Sequence, residues 1–344
     1  MDSPLLQHLK SRIQREGPIS FRDFMDEALY HPEFGYYTSA RNPLGRAGDY
    51  YTSSDLDPVF GKLLARKFQE MAATLGITEE SFTILELGAG RGLLAREILQ
   101  HARFRYCILE RSSAMRDRQH ETLSGLPIEW VSEMPESLTG CVFSNEFFDA
   151  LPVHRVVRRN GVLREICVSA QFTEVEGDLQ EPLVAPLAEG QLADICLDAR
   201  RWVAQIGASL ERGYHLAIDY GYQEREFYAR PRGTLMCYWK HQAVEDPYIR
   251  IGEQDITAHV NFSDLMNAGA AAGLENVSFT TQMDFLIQQG ILQEIEALVP
   301  ATSADAIQRI MAIKKLILPD AMGQRFKVLI QRKTAFDTAR IRQL

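Results

Sequence analysis

Apolar residues recur along this chain with two periods, and each change of period marks a new element. Leu5, Leu6, Leu9 and Ile13 have the spacing of one helix face, stopped by Gly17-Pro18. Ser20 is placed to cap a second helix, with Asp23 three residues on and Phe21, Phe24, Met25 and Leu29 as its apolar face. His31-Pro32 ends that helix. A stretch rich in Gly, Tyr and Thr then runs to a third helix near Pro58, and its length suits a binding loop. Residues 83–85 form a short apolar run of buried-strand type, followed by Glu86, by Gly88, Gly90 and Gly92, and by a helical pattern through Leu94, Ile98 and Leu99. Residues 106–109, 128–131, 141–144 and 215–221 read as further strands. Residues 154–168 alternate about Asn160-Gly161, the signal of a hairpin. A helix is expected over 192–212, no clear period over 222–261, a helix over 262–273, a strand over 277–280, helices from about 283 to 318, and a last strand over 326–331. Strands alternating with helices predict an α/β fold around a mostly parallel sheet.

Composition narrows the class. The chain has 344 residues, 46% of them apolar, without an apolar run of membrane-spanning length. The reading is a soluble protein of two units or one enlarged domain, with no membrane insertion. The first residues contain acids and lack a secretory apolar core. The five cysteines are scattered without a CxxC. Both features predict a cytoplasmic protein with reduced thiols. A net charge of −9 argues against a nucleic-acid partner. Neither an HExxH nor a His/Cys cluster appears, so no metal site is expected.

The glycine turn carries the chemistry. A dinucleotide fingerprint needs a small third residue, and counting from Gly88 that position is Leu93. The spacing E-x-G-x-G-x-G instead resembles the first motif of class I S-adenosylmethionine-dependent methyltransferases. Glu86 suits the cationic groups of that cofactor, and the open backbone at Gly88, Gly90 and Gly92 suits its carboxylate. Glu110 ends the next strand, where ribose hydroxyls need an acceptor, and Glu133 stands after the third, where an adenine contact is common. Asn145, Glu146 and Asp149 follow the fourth strand among Phe147, Phe148 and Pro152, next to the crevice such a sheet provides.

A wider resemblance covers almost the whole chain. GYYTSARNPLGRAGDYYTSSDLDPVFG, ELGAGRG, SNEFFDALPVHRV, AIDYGY, RGTLMCYWKH, GEQDITAHVNFSDL and MGQRF are similar to segments of the MidA family, in the family's order. Ala89 replaces the family's Pro, Ser54-Asp55 its Pro-Glu, and Asn261 its usual Asp. The resemblance implies a class I methyltransferase: a Rossmann-like, mostly parallel seven-stranded sheet closed by an antiparallel strand, with an inserted β-hairpin at 153–169 and a lid or substrate region at 222–261. Residues 1–81 would be a helical extension closing over the cofactor through Gly48, Asp49 and Thr52, and 82–344 the core. The cofactor is S-adenosyl-L-methionine. The catalytic candidates are Asn145, Glu146, Asp149 and, on the resemblance alone, His259. The family includes a mitochondrial complex I assembly factor that acts as a protein arginine methyltransferase. The function implied is therefore methylation of a protein arginine, on a respiratory-complex subunit or its assembly partner. A small-molecule or other side-chain methyltransferase and a non-catalytic cofactor-binding assembly factor stand as alternatives. A protein substrate is the expected partner, and a homodimer is compatible with the sequence.

Overall fold

The alternation of strand and helix along the chain builds one central sheet covered on both faces. A computed structural model describes residues 3–39, 56–240, 242–300 and 303–334. Helices α1 (Pro4–Glu16), α2 (Phe21–Tyr30) and α3 (Val59–Leu75) come first. Ser20 caps α2, its hydroxyl accepting the Asp23 N–H at 3.0 Å. The chain continues through β1 (Thr83–Leu87), α4 (Leu93–Leu99), β2 (Arg105–Leu109), α5 (Ser113–Thr122), β3 (Ile128–Val131) and β4 (Leu138–Asn145). Next are β5 (His154–Arg159), β6 (Val162–Val168), β7 (Glu174–Gly177), β8 (Leu192–Ile195), α6 (Leu197–Ser209) and β9 (Leu210–Tyr222). Strands β10 (Leu235–Trp239), β11 (Gln242–Val244) and β12 (Asp255–Ala258) precede α7 (Phe262–Ala271) and β13 (Glu275–Thr281). Helices α8 (Gln282–Gln288), α9 (Ile291–Leu298) and α10 (Ala304–Ile317) lead to β14 (Phe326–Lys333).

The sheet order is β13-β14-β9-β4-β1-β2-β3, with the short strand Val260–Asn261 added beside the end of β9. All neighbours are parallel except β14, which runs antiparallel to both β9 and β13. This is the closing antiparallel strand that the methyltransferase resemblance implies. Helices α3, α4, α8 and α10 cover one face, burying Phe60, Phe68, Phe143, Leu216, Phe285 and Ile313 together. Helices α6 and α7 cover the other with Val203, Leu265, Val142 and Leu329. Burial on both sides explains why the strands read as near-continuous apolar runs. Helix α3 falls within the 1–81 extension expected from sequence, yet it packs on the sheet.

The inserted region is a second structure of its own. The hairpin β5–β6 turns at Asn160 and Gly161, with φ of 51° and 78°, the left-handed pair a tight hairpin favours. Two expectations are corrected here. The helix expected over 192–212 gives up its first residues to β8, which pairs with β5 (Val156 opposite Ala193), and its last ones to β9. Residues 222–261 are not aperiodic: β10 sits between β11 and β12 in an antiparallel sheet. Buried Asp194 fastens the two pieces, accepting the Arg155 guanidinium at 3.0 Å and the Thr234 and Leu235 N–H groups at 2.5 and 2.9 Å. Helices α1 and α2 pack on this insert through Leu9, Phe24 and Leu29 against Val168 and Ile256.

Candidate active site

The turn after β1 is held open by its backbone. Gly88 and Gly90 have φ of 64° and 52°, and a Cβ on Gly88 would lie 2.9 Å from the Phe147 ring. Both line a cavity of about 680 Å³ at the carboxyl edge of the sheet. Gly92 does not line it. Its φ is 77°, and a side chain there would strike Leu123 at 2.9 Å, so this third glycine serves the packing of α4 rather than the ligand.

Two carboxylates expected to meet the cofactor do line the cavity. Buried Glu86 accepts the Tyr106 hydroxyl at 2.8 Å. Burial pushes its pKa up to about 7, with the Tyr106 bond opposing and the charge of Glu110 adding. Glu110 accepts the Ser112 N–H at 2.9 Å and the Gln119 amide at 3.1 Å, and burial raises its pKa despite those bonds. Gln119 had no signal in the sequence. Fully buried on the polar helix α5, it also donates to the Gly90 carbonyl at 2.8 Å and accepts Trp130 Nε1 at 3.0 Å. One amide thereby ties the glycine turn to the acid at the end of β2. Glu133 is exposed and away from the cavity, contrary to the expected adenine contact.

The end of α2 and the turn after it supply another wall. Tyr37 is fixed from several sides. Its carbonyl accepts Ser112 Oγ at 3.1 Å, its hydroxyl donates to Asp255 at 2.8 Å, and its ring stacks on Tyr30 with centroids 5.6 Å apart. The Tyr30 hydroxyl donates to the Ala150 carbonyl at 2.9 Å. Gly48, Asp49 and Thr52, expected over the cofactor, lie outside the described residues.

Asn145, Glu146 and Phe147 line the cavity where β4 ends. Glu146 has a φ of 55°, costly for a residue with a side chain, and its N–H is held by the Ile218 carbonyl at 2.9 Å. The Asn145 amide donates to Glu146 Oε1 at 2.9 Å, while its buried Oδ1 has no hydrogen-bond partner among the described residues. The acid that shapes the turn is Asp219, at the end of β9. One of its oxygens accepts the N–H groups of Phe147, Phe148 and Asp149 at 3.2, 3.0 and 3.3 Å, and the other that of Tyr220 at 2.9 Å. Asp149 is buried behind the lining rather than in it. Burial lifts Asp149 to about 6; burial, then the charges of Asp149 and Glu146, raise Asp219, against the N–H donors that favour its charge.

Asp219 caps the turn, and Arg155 pairs with Asp194. His259 is not in the cavity. Its Nδ1 meets the Thr234 carbonyl at 3.0 Å, and its ring lies 5.1 and 5.2 Å from those of Tyr220 and Tyr222. Burial lowers its pKa. It borders a separate void of about 20 Å³ and does not line the cavity that holds Glu86, Glu110 and Glu146. His8 on α1, Glu27 on α2 and His31 just after α2 gather within 4.8 Å. Arg12 holds Glu27 at 3.1 Å, and His31 Nδ1 accepts the Glu33 and Phe34 N–H groups at 3.2 and 3.3 Å, so these acceptors are already engaged.

A Rossmann-like sheet of this order, with an open glycine turn and acids ending its first two strands, defines a class I S-adenosylmethionine-dependent methyltransferase. The comparisons agree. Residues 63–280 match the S-adenosyl-L-methionine-dependent methyltransferase family, and the chain belongs to it, as the MidA resemblance implies. Among curated relatives, protein arginine methyltransferase NDUFAF7, mitochondrial, is 29% identical in Rattus norvegicus, over 94% of this chain and 83% of the relative. Its Homo sapiens counterpart is 28% identical over 94% and 82%. Two solved structures from Burkholderia thailandensis are each 30% identical. One, bound to S-adenosyl-homocysteine, superposes with a TM-score of 0.88 over 97% of this chain and 95% of its own. The other superposes with a TM-score of 0.84 over 98% and 96%. No helix among the described residues is long and apolar enough to cross a membrane.

Proposed function

We propose that the protein methylates arginine side chains of a protein acceptor. The observation that carries this reading is the turn after β4, which presents the Glu146 carboxylate to the same cavity that Glu86, Gly90 and Glu110 line. A guanidinium is a planar fork of N–H donors, and a carboxylate is its bidentate acceptor. The names of the curated relatives point the same way.

S-adenosylmethionine supplies an electrophilic methyl group on a good leaving group, so the protein has mainly to align the acceptor with it. The residues fit that cofactor: Gly88 and Gly90, both at positive φ, would leave backbone room for its methionyl end, Glu86 would face its cationic groups, and Glu110 would offer acceptors to its vicinal hydroxyls. The acceptor guanidinium stays protonated in water. Glu146 would hold two of its nitrogens, localise the charge there and leave the third nitrogen with an available lone pair, and the methylated nitrogen gives up one proton to solvent as the product leaves. Phe147 beside it keeps water from the reacting nitrogen. Asp219 acts through the backbone by fixing the turn that carries Glu146.

The test is label transfer from tritiated S-adenosylmethionine into a lysate lacking the protein. Glu146→Gln should lower transfer by about 100-fold or more, while S-adenosyl-homocysteine affinity stays within about threefold. Transfer at the wild-type rate by a folded Glu146→Gln protein would take this residue out of the site.

A further inference from the structure

The cavity has a second end that the methyl donor does not require. There α2 and α6 approach one another, contributing Arg22, Asp26, Asp198, Arg201, Trp202 and Gln205 to the lining. The two acids are served very differently. Asp198 is shared by two guanidinium groups, Arg22 at 2.9 Å and Arg201 at 2.6 Å. Burial alone would raise its pKa, but those hydrogen bonds outweigh it and hold the carboxyl below its ordinary value. Asp26 meets a single guanidinium among the described residues, Arg22 Nη1, at a long 3.4 Å. That nitrogen is shared with Asp23 at 3.2 Å. Burial keeps the Asp26 carboxyl above its ordinary value, with Arg22 and Arg111 offsetting only part of that.

We propose that Asp26 is a specificity residue of an acceptor subsite, where it takes the cationic side chain of a lysine or arginine flanking the methylated arginine. The inference rests on the protein-arginine reading above. A carboxylate accepts about four hydrogen bonds, so Asp26 has capacity to spare. A substrate cation there supplies the countercharge that Arg22, committed to Asp198, and Arg111 supply only in part. The Trp202 ring at the same end offers a face for that cation as well. The rival occupant is an acidic side chain drawn by Arg22, Arg111 and Arg201, and the test separates it from the basic one.

A positional-scanning library of arginine-containing peptides, labelled with tritiated S-adenosylmethionine, separates these outcomes. The wild type should prefer lysine or arginine at one flanking position by about tenfold, and Asp26→Asn should reduce that preference to about twofold or less. Unchanged S-adenosyl-homocysteine affinity by calorimetry shows that the variant is folded. A preference for aspartate or glutamate, no preference, or an undiminished basic preference in Asp26→Asn would overturn the subsite alone. If no arginine peptide is labelled at all, the protein-arginine reading falls and the subsite falls with it.

Discussion

At Gly90 the backbone has a φ of 52°, and its carbonyl is held by Gln119 at 2.8 Å. A β-branched residue is strained in this region, and its side chain would enter the space the methionyl group needs. Gly90→Val should therefore lower S-adenosyl-homocysteine affinity by about tenfold or more while the protein stays folded, as calorimetry and thermal melting would show. Glu86 makes a pH prediction. Its folded pKa of about 7 lies above the ordinary carboxyl value, so the folded protein binds the extra proton between the two values. Its contribution to stability falls as pH rises through that window, the reverse of a salt-bridged acid. A ligand ammonium favours the ionised form. Affinity for S-adenosyl-homocysteine should rise with pH from about 5.5 to about 7 and then level off, and Glu86→Gln should flatten the curve. An affinity of the wild type that ignores pH across this range would detach Glu86 from the ligand.

The turn between β4 and β5 depends on one acid from another strand. Asp219→Ala would leave the N–H groups of Phe147, Phe148 and Asp149 without their acceptor, at roughly 1–3 kcal/mol for each buried group. A loss of about 3 kcal/mol or more is expected in thermal or urea unfolding. Asp219→Asn keeps an acceptor oxygen and removes a charge from beside Asp149, so it should melt much nearer the wild type. Equal stability of both variants and the wild type would deny the turn this support. Such a role was invisible in the sequence because Asp219 and Phe148 are 71 positions apart. Elements whose cues are local were legible: the Asn160-Gly161 hairpin, the Ser20 cap and the strand–glycine–helix unit all follow from neighbouring residues. Strand β8 was not, since Leu-Ala-Asp-Ile has no period of its own and becomes a strand by pairing with β5. The β10–β12 sheet is likewise organised from outside, through Asp194. Gln119 and the true position of His259 belong to the same class: their partners lie in other elements, and spacing along the chain carries no trace of them.

Across the whole molecule, the cavity is made by three parts that are distant in sequence. The sheet edge gives the donor end, the N-terminal helices give Tyr30 and Tyr37, and the insert gives Asp255 behind Tyr37. The Tyr37 contacts with Ser112 and Asp255 make the extension a wall of the same cavity. Binding there should stabilise all three parts together, by about 2.7 kcal/mol at a ligand concentration 100 times Kd. Hydrogen exchange with saturating S-adenosyl-homocysteine should slow at residues 30–38 as well as at 86–92 and 110–112. Protection confined to the sheet edge would mean that the extension takes no part in holding the cofactor. The central claim, transfer to a protein arginine, is tested most directly by the chemical identity of the product. Wild-type protein, methyl-tritiated S-adenosylmethionine and a lysate lacking the protein are incubated, and the labelled protein fraction is hydrolysed and its amino acids separated. The account predicts label in methylated arginine; label in another amino acid, in small molecules only, or in nothing despite cofactor binding would contradict it.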